Sequence, residues 1–406
     1  MGQGIDVTQL QKATQQQTKT HNGRLVLKTI YDQGRTSRAD VARLTHLTRT
    51  TVSDIVADLQ EKGLVEEVGM GRSLGGRTPI LLSVIDDARH IISVDLANDE
   101  LRGAVVNLRN RVIATICLPT NGRAGEEALT LVYELLDRLV YATDSPILGI
   151  GIGTPGLVDT TQGVVLSAVN LDWRDLPLGS LLRERYGLPV YVANDSQLAA
   201  LAQYMFGGEQ YGNSLAVVKI GHGVGAGAVL NGQLFQGDGY GAGEIGHIVV
   251  VEGGQRCRCG NSGCLETVVS LPAMKAHARA LATQHPKSML NSIHPSHDIE
   301  TATINRAFQH GDVAARQLVL ETGRYLGMAV AILVGALNVR RVVLMGEVAC
   351  FGAPLLEIVR QEMLSRALPT LARDTRIDLV DLDPYAVLTG ASALLLTNEL
   401  GLSLTR

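Results

Sequence analysis

The sequence predicts a mixed α/β protein in which a small N-terminal domain precedes a much larger one. The chain has 406 residues, which is enough for two or three domains of roughly 100–200 residues each. Three helical patterns and then two strand patterns occupy its start, whereas strands and helices alternate through the remainder. We therefore expect a flexible segment over residues 1–18, a head domain over residues 19–85 and a body over residues 90–406.

The head domain is predicted from helix start and stop signals. The first helical pattern ends at Gly34, a second begins after Ser37, and a third begins after Thr48. Apolar residues of the third pattern share one helix face, at Val52, Ile55, Val56 and Leu59. Helices joined by a short turn form a helix-turn-helix motif, whose recognition helix enters the major groove of DNA. We expect this domain to fold around its own core.

Two predicted strands follow, at residues 64–68 and 80–84, around a glycine-rich turn. A strand pair in this position forms the wing of a winged helix-turn-helix domain. Polar groups at the start of a recognition helix reach bases and phosphates, and arginines in a wing suit the minor groove. The candidate DNA contacts are Arg49, Thr50, Thr51, Ser53, Arg72 and Arg77. The alternative is a winged helix that serves only protein contacts.

Charge is unevenly divided between the two parts of the chain. Residues 1–84 hold 11 lysines and arginines against 8 aspartates and glutamates, a net charge of +3. The rest of the chain holds 25 against 32, a net charge of −7. A basic head on an acidic body favours nucleic acid as the partner of the head, and excludes general polyanion binding by the whole molecule.

Composition also predicts the compartment. The chain opens on polar, glutamine-rich residues without a signal-peptide pattern. The longest apolar run, residues 328–337, is shorter than the roughly 20 residues that cross a bilayer. Five cysteines, three of them clustered, favour a metal site in a reducing compartment over disulfides. We expect a cytoplasmic protein without a membrane segment.

The body repeats one plan of strands followed by a helix. Strands are predicted at 91–96, 101–108, 111–118 and 148–153, with a helix over 124–142. Strands return at 215–220 and 223–230, where Asn231-Gly232 is a strong hairpin signal. A long helix over 313–337 precedes a buried strand at 341–345. Periodicity alone supports an α/β body.

A cluster of metal-ligand side chains lies in the second half of the chain. Three cysteines fall within eight residues and one histidine precedes them: His247, Cys257, Cys259 and Cys264. Thiolate sulfur and imidazole nitrogen are the ligands that zinc prefers, and a Cys₃His set closes a tetrahedral shell. We expect one structural zinc ion per chain. The alternative is three buried cysteines without a metal.

Two glutamates bracket this cluster, Glu244 before the histidine and Glu266 after the last cysteine. Carboxylates accept hydrogen bonds from paired hydroxyl groups, and sugars present hydroxyls in pairs. His247 has two ring nitrogens, so one can bind the metal while the other faces a ligand. The alternative is that both glutamates are solvated surface groups.

The run from Ala242 to His247, followed by Cys-x-Cys-Gly-Asn-x-Gly-Cys-Leu-Glu, resembles the signature of the ROK family of repressors, open reading frames and sugar kinases. The resemblance extends from about residue 91 to the end of the chain. It implies a two-lobed, actin-like (ribonuclease-H-like) sugar-kinase fold for the body. It also implies a sugar pocket lined by Gly153, Pro155, Asn194, Asp195, Glu244, His247 and Glu266, in which Asp195 matches the general base of the kinases.

Spacing alone gives Asn194 and Asp195 a simpler role, because Asn-Asp after a strand commonly caps a helix, here one over 196–206. The phosphate turns depart from the kinase pattern. ROK kinases end their first strand in Asp-x-Gly-Gly-Thr, whereas this chain has Asp95-Leu96-Ala97-Asn98-Asp99. The glycines and threonine that would hold phosphate are missing, and Asp99 would repel it. We therefore expect neither ATP binding nor catalysis.

The combined expectation is a sugar-responsive DNA-binding transcriptional regulator, specifically a repressor of carbohydrate-utilisation genes. Its expected partners are operator DNA, a monosaccharide effector and a second copy of the chain, as a homodimer or a dimer of dimers. One alternative is an active ATP-dependent sugar kinase with an added DNA-binding domain. The other is a repressor controlled by a partner protein.

Overall fold

A computed structural model describes residues 14–71, 78–97, 99–208, 212–292, 299–381 and 383–402. The head has the expected winged helix-turn-helix architecture. Its elements are α1 (Gln15–Gln33), β1 (Thr36–Ser37), α2 (Arg38–Thr45), α3 (Arg49–Glu61), β2 (Val65–Met70) and β3 (Ile80–Val84). The three strands form an antiparallel sheet in the order β1-β3-β2, so the wing is anchored by a short strand before α2.

The first helix begins earlier than the sequence suggested. Thr14 caps α1 through a capping box, in which its hydroxyl accepts from the backbone N–H of Gln17 while the Gln17 side chain accepts from the N–H of Thr14. Residues 15–18 therefore belong to the helix, not to a flexible segment, and the rest of the expected segment, residues 1–13, lies outside the described residues.

The first lobe of the body is a mixed five-stranded sheet with one small sheet beside it. Its elements are β4 (His90–Leu96), β5 (Glu100–Asn107), β6 (Val112–Pro119), α4 (Gly125–Tyr141), β7 (Ile147–Thr154), β8 (Leu157–Asp159), β9 (Val164–Ala168), β10 (Trp173–Leu176), α5 (Leu178–Tyr186) and β11 (Val190–Asn194). The main sheet has the order β11-β7-β4-β5-β6, and the small sheet has the order β10-β9-β8. The sequence predicted the meander, whereas the small sheet and α5 were not predicted.

The second lobe repeats a five-stranded sheet. Its elements are α6 (Asp195–Phe206), β12 (Leu215–Ile220), β13 (Val224–Leu230), β14 (Gln233–Phe235), α7 (Glu266–Val269), α8 (Leu271–Gln284), α9 (Thr301–Gln309), α10 (Val313–Leu337), β15 (Arg341–Gly346), α11 (Gly352–Arg366), α12 (Pro369–Ala372), β16 (Arg376–Val380) and α13 (Ala386–Leu400). The sheet order is β14-β13-β12-β15-β16. Helices α6 and α13 pack against each other between the two sheets.

By length and composition, α10 is the one helix among the described residues that could cross a membrane. In the structure it is a core helix of the second lobe. Its residues Leu318, Leu326 and Val330 are fully buried, and it packs against α8 and α11. A mostly buried helix of this kind is typical of the interior of a large α/β lobe.

The head does not fold around a separate core. The apolar residues of α1, including Val26, Leu27 and Ile30, share one buried cluster with Leu395 and Leu396 of α13. A polar clamp adds to this interface: the Arg109 guanidinium lies 3.9 Å above the Tyr31 ring and donates to the Tyr31 carbonyl at 2.7 Å. The expectation of an independent head core was wrong, because the inner face of α1 is completed by the body.

Candidate functional site

The metal-ligand cluster is held by two short pieces of structure. His247 ends a 3-10 helix, and the following loop is folded back by bridges between Val249 and Cys264 and between Arg256 and Ser262. The ligand atoms of His247 and the three cysteines all lie within 4.8 Å of one another. The four side chains therefore form one group that can hold a metal ion.

The spacing of this group fits a tetrahedral ion. The distance from Cys257 Sγ to His247 Nδ1 is 3.6 Å, and the distance from Cys259 Sγ to Cys264 Sγ is also 3.6 Å. Sulfur and nitrogen ligands at zinc distances in a tetrahedron would be separated by about 3.6–3.8 Å. The donor set and its spacing therefore both suit zinc.

The protonation of the thiols depends on the loop itself. A backbone hydrogen bond from Asn261 is the main factor that lowers the pKa of Cys259, which favours a thiolate. Burial raises the pKa of Cys264 to about 12. The Arg258 guanidinium, in the same loop, donates to Asn170 Oδ1 of the first lobe at 3.0 Å.

His247 joins the metal cluster to the cleft between the lobes. Its Nδ1 faces Cys257, and its Nε2 lies 3.7 Å from Glu244 Oε2. Glu244 keeps 43% of its side chain exposed. Desolvation raises the pKa of Glu244, the nearby His247 lowers it, and the charges of Asp195 and Glu266 raise it further. The Asp195 and Glu266 carboxylates are therefore near enough to Glu244 for their charges to act on it.

Glu266 has a second contact that fixes its position. Its Oε2 accepts a 2.9 Å hydrogen bond from the backbone N–H of Val224, in the glycine-rich turn between β12 and β13. A side chain at Gly223 would place its Cβ 2.8 Å from that oxygen. The glycine of this turn thus makes room for the Glu266 carboxylate, which ties the turn to α7.

Asn194 is used as a helix cap. Its Oδ1 accepts from the backbone N–H groups of Ser196 and Gln197 at the start of α6, and its Nδ2 donates to the Gly156 carbonyl at 2.9 Å. The helix-cap role that spacing predicted therefore describes its acceptor atom, and a ligand contact by Asn194 stays a prediction. Its Nδ2 retains one N–H for a ligand.

Gly153 and Pro155 lie on the turn after β7, next to Asn194. A Cβ at Gly153 would lie 2.2 Å from Val387 Cγ1, so glycine is required there for the approach of α13. Pro155 is half-buried, and its carbonyl accepts from Thr154 Oγ1 at 3.2 Å. The requirement at Gly153 is thus packing, and ligand contact by either residue stays a prediction.

Asp195 is paired with a lysine that the sequence analysis did not single out. Lys219 Nζ lies 2.5 Å from Asp195 Oδ2, and Ser196 Oγ donates to Asp195 Oδ1 at 3.1 Å. Burial raises the pKa of the neighbouring Asp95 to about 6, against the lowering effect of Lys219. The signal for Lys219 was present in the sequence, as the single charge in the apolar strand Leu215–Ile220.

The turn after β4 and the turn after β12 also meet each other. Asp99, after β4, lies 3.4 Å from Nε2 of His222, after β12. Residue 98 of the first turn lies outside the described residues. The side chains at these two turns therefore pair across the lobes.

Three of the four candidate DNA contacts that the structure describes are exposed. Arg49, Thr50 and Ser53 are exposed at the start of α3. Thr51 is half-buried, and its hydroxyl lies 2.8 Å from that of the capping residue Thr48, which fixes the first turn. The predicted wing arginines, Arg72 and Arg77, lie outside the described residues.

Comparison with known families agrees with this architecture. Residues 91–398 match the ROK family, and residues 20–66 match a winged helix-turn-helix DNA-binding family. The chain belongs to the ROK family. With its winged head, it is a transcriptional regulator of that family.

Known relatives fall into two groups. The xylose repressor of Caldicellulosiruptor bescii is 33% identical over 386 residues, covering 94% of this chain and 97% of that protein. The glucokinase of Halalkalibacterium halodurans is 33% identical over 317 residues, covering 77% of this chain and 96% of that enzyme. The solved structure of a ROK family transcriptional regulator, a homolog of the E. coli MLC protein, superposes with a TM-score of 0.82 at 29% identity over 95% of this chain and 98% of that one. The repressor and the regulator thus extend over the head as well as the body.

Proposed function

We propose that this chain is a cytoplasmic, sugar-responsive transcriptional repressor of carbohydrate-utilisation genes. The observation that carries the proposal is one continuous chain in which a winged helix-turn-helix head is packed onto a ROK body. Similarity to a xylose repressor along 97% of that protein's length supports the same arrangement. DNA binding belongs to the head and effector binding to the cleft of the body.

The effector is a monosaccharide held by the carboxylates of the cleft. Glu244, Glu266 and Asp195 each supply acceptor oxygens for hydroxyl groups, and His247 Nε2 faces the same space. Charged acceptors make stronger hydrogen bonds than neutral ones, so three carboxylates favour a polyhydroxylated neutral ligand. Gly153, Pro155 and the free N–H of Asn194 complete the proposed contacts on the first lobe.

We propose that the Cys₃His group binds one structural zinc ion per chain. The four ligands would hold the ion without an open coordination position, so it would stabilise the loop and not activate water. Because His247 also faces Glu244, the ion would fix one wall of the sugar pocket.

For the DNA complex we propose a homodimer on a near-palindromic operator. Two-fold protein symmetry favours two-fold sites, with one α3 helix in each half-site. Arg49, Thr50, Thr51 and Ser53 would contact bases and phosphates, and Arg72 and Arg77 would contact the minor groove.

An active sugar kinase with a DNA-binding head is the second candidate, and the similarity to a glucokinase favours it. Against it stand the missing glycines after Asp95 and the ammonium of Lys219 on the residue that matches the kinase base. Phosphate transfer from labelled ATP to a panel of monosaccharides separates the two candidates. We expect no sugar phosphate above the no-protein control.

The deciding experiment measures operator binding with and without sugar. The operator is selected from random duplex DNA, and the sugar is found by thermal shift across a monosaccharide panel. Glu244→Gln should lower sugar affinity roughly ten- to a hundredfold and remove the response of DNA binding, because a charged acceptor is lost. Glu252→Gln, an exposed glutamate in the same region, is the matched control and should respond like wild type.

Two results would count against the proposal in different ways. Equal sugar responses in Glu244→Gln and wild type would place the pocket elsewhere. Failure of every sugar to bind would favour the alternative of control by a partner protein.

A further inference from the structure

The cleft contains a lysine that is paired with one aspartate and influenced by the charge of a second, which comes from a different part of the fold. Lys219 projects from β12 of the second lobe, and its ammonium lies 2.5 Å from Asp195 at the start of α6. Both side chains are largely buried, with 19% and 18% of their surface exposed. Asp95, at the end of β4 in the first lobe, is 6% exposed, and its charge acts on the same ammonium without an ion-pair contact.

The charges in this part of the cleft are unequal. Asp95, Asp195, Glu244 and Glu266 are four carboxylates that act on one another or on Lys219. Arg102 faces Asp95 from β5, but it is already paired with Glu100 at 2.5 Å. Although burial lowers the pKa of Lys219, the carboxylates of Asp195 and Asp95 raise it above its ordinary value, so the lysine is charged at neutral pH.

Two of these carboxylates, Asp95 and Asp195, are largely buried and need a cation. A charge removed from water is stable only when it is paired and hydrogen-bonded, and unpaired acidic oxygens attract a hard divalent cation. In this cleft the cation is the ammonium group of Lys219. Lys219 and Ser196 each donate to a different oxygen of Asp195. Each of these oxygens can therefore still accept a hydrogen bond from a ligand.

We propose that Lys219 is a positioning residue that acts as an internal cation, so that the cleft binds a neutral monosaccharide without a divalent metal ion. The lysine orients the Asp195 carboxylate toward the sugar and compensates the charge of Asp95. This proposal rests on the proposed sugar-binding function. It extends that function in two ways. Lys219 is the residue that makes the site suit a neutral ligand, and sugar binding requires no divalent metal ion.

The test compares full-length wild type, Lys219→Met and Lys219→Arg by calorimetry with the monosaccharide from the panel. A second arm titrates each zinc-loaded protein with MnCl₂ alone and follows free Mn²⁺ by electron paramagnetic resonance. Lys28→Met is the matched control, because it removes another lysine–aspartate pair, at 2.6 Å, in α1 of the head.

Lys219→Met should lose sugar affinity by roughly ten- to a hundredfold, because a charge-assisted hydrogen bond to Asp195 is removed. It should also gain one Mn²⁺ site per chain, and saturating Mn²⁺ should restore much of the lost sugar affinity. Lys219→Arg should keep most of the sugar affinity and gain no Mn²⁺ site. Lys28→Met should match wild type in both arms.

A lysine with only a packing role would give a different result. Loss of sugar affinity in Lys219→Met without a new Mn²⁺ site, or without rescue by Mn²⁺, would overturn the proposal. So would an unchanged sugar affinity. If no sugar binds wild type, the proposed function fails, while the Mn²⁺ arm still decides whether Lys219 replaces a cation.

Discussion

The two ends of the interlobe cleft use their polar groups differently. At the sugar end, Glu244 remains 43% exposed and its carboxylate faces open space beside His247. At the proposed phosphate end, Asp99 after β4 of the first lobe is paired with His222 after β12 of the second lobe, at 3.4 Å. Acceptors that have no partner in the chain are available to a ligand, whereas paired charges must first be separated. The difference supports the proposal that this cleft keeps a sugar site and has lost a nucleotide site.

The largest expected effect comes from removing the metal that supports the sugar end. Cys259→Ser should release zinc, lower the free energy of unfolding by more than about 4 kcal/mol and blunt the sugar response, since loss of a structural metal is among the most destabilising changes. Elemental analysis and thermal unfolding provide the measurements. Cys117→Ser, an exposed cysteine on β6, is the control and should keep the metal. Wild type prepared without chelators that contains no zinc would refute the assignment.

A smaller effect is expected at the buried carboxylate of the phosphate end. Burial raises the pKa of Asp95 from 3.8 to about 6, so the folded chain binds this proton more tightly than the unfolded chain does. The stability that this proton supplies is fully present below the unfolded pKa and is lost as pH rises through about 6. Between pH 5 and pH 7.5, wild type should lose about 1–2 kcal/mol through this group.

Urea unfolding at the two pH values tests this prediction. Asp95→Asn should lack that component of the pH dependence, whereas Asp238→Asn, at an exposed aspartate, should retain it. Identical pH dependence in wild type and Asp95→Asn would show that Asp95 is ionised in the folded state at pH 5.

The smallest effect is expected for the exposed pair across the phosphate turns. The side chains of Asp99 and His222 are 78% and 53% exposed, and exposed ion pairs contribute roughly 0–1 kcal/mol. Asp99→Asn should change sugar affinity by less than about twofold and unfolding free energy by less than about 0.5 kcal/mol. A tenfold loss of sugar affinity in calorimetry would mean that the phosphate end takes part in sugar binding, and would remove the distinction between the two ends.

The sequence was most informative where the chemistry is local. The Cys₃His ligands lie within 18 residues of one another, and the helices of the head are bounded by caps such as Ser37 and Thr48, so spacing alone predicted them. Asn194 was ambiguous because a helix cap and a ligand contact require the same amide. Its neighbours, and not its position after a strand, decide which atoms remain free.

Other features depend on contacts that the local sequence does not encode. Lys219 contacts Asp195 from 24 residues away, and the charge of Asp95 acts on it from the other lobe, so its role appears only in the folded chain. The need for glycine at position 153 is set by Val387, near the end of the chain. The small sheet from β8 to β10 was missed because its strands have only three to five residues.

The core that α1 shares with α13 has a geometric consequence for DNA recognition. A domain on a free linker can adjust to operators of different lengths, but α1 is fixed to the body by apolar contacts, by the Tyr31–Arg109 stack and by a 2.8 Å bond from Arg24 to the Asn398 carbonyl. In a two-fold assembly, the separation of the two α3 helices is then determined by the bodies. The spacing between half-sites, in base pairs, becomes a direct measure of the shape of the dimer.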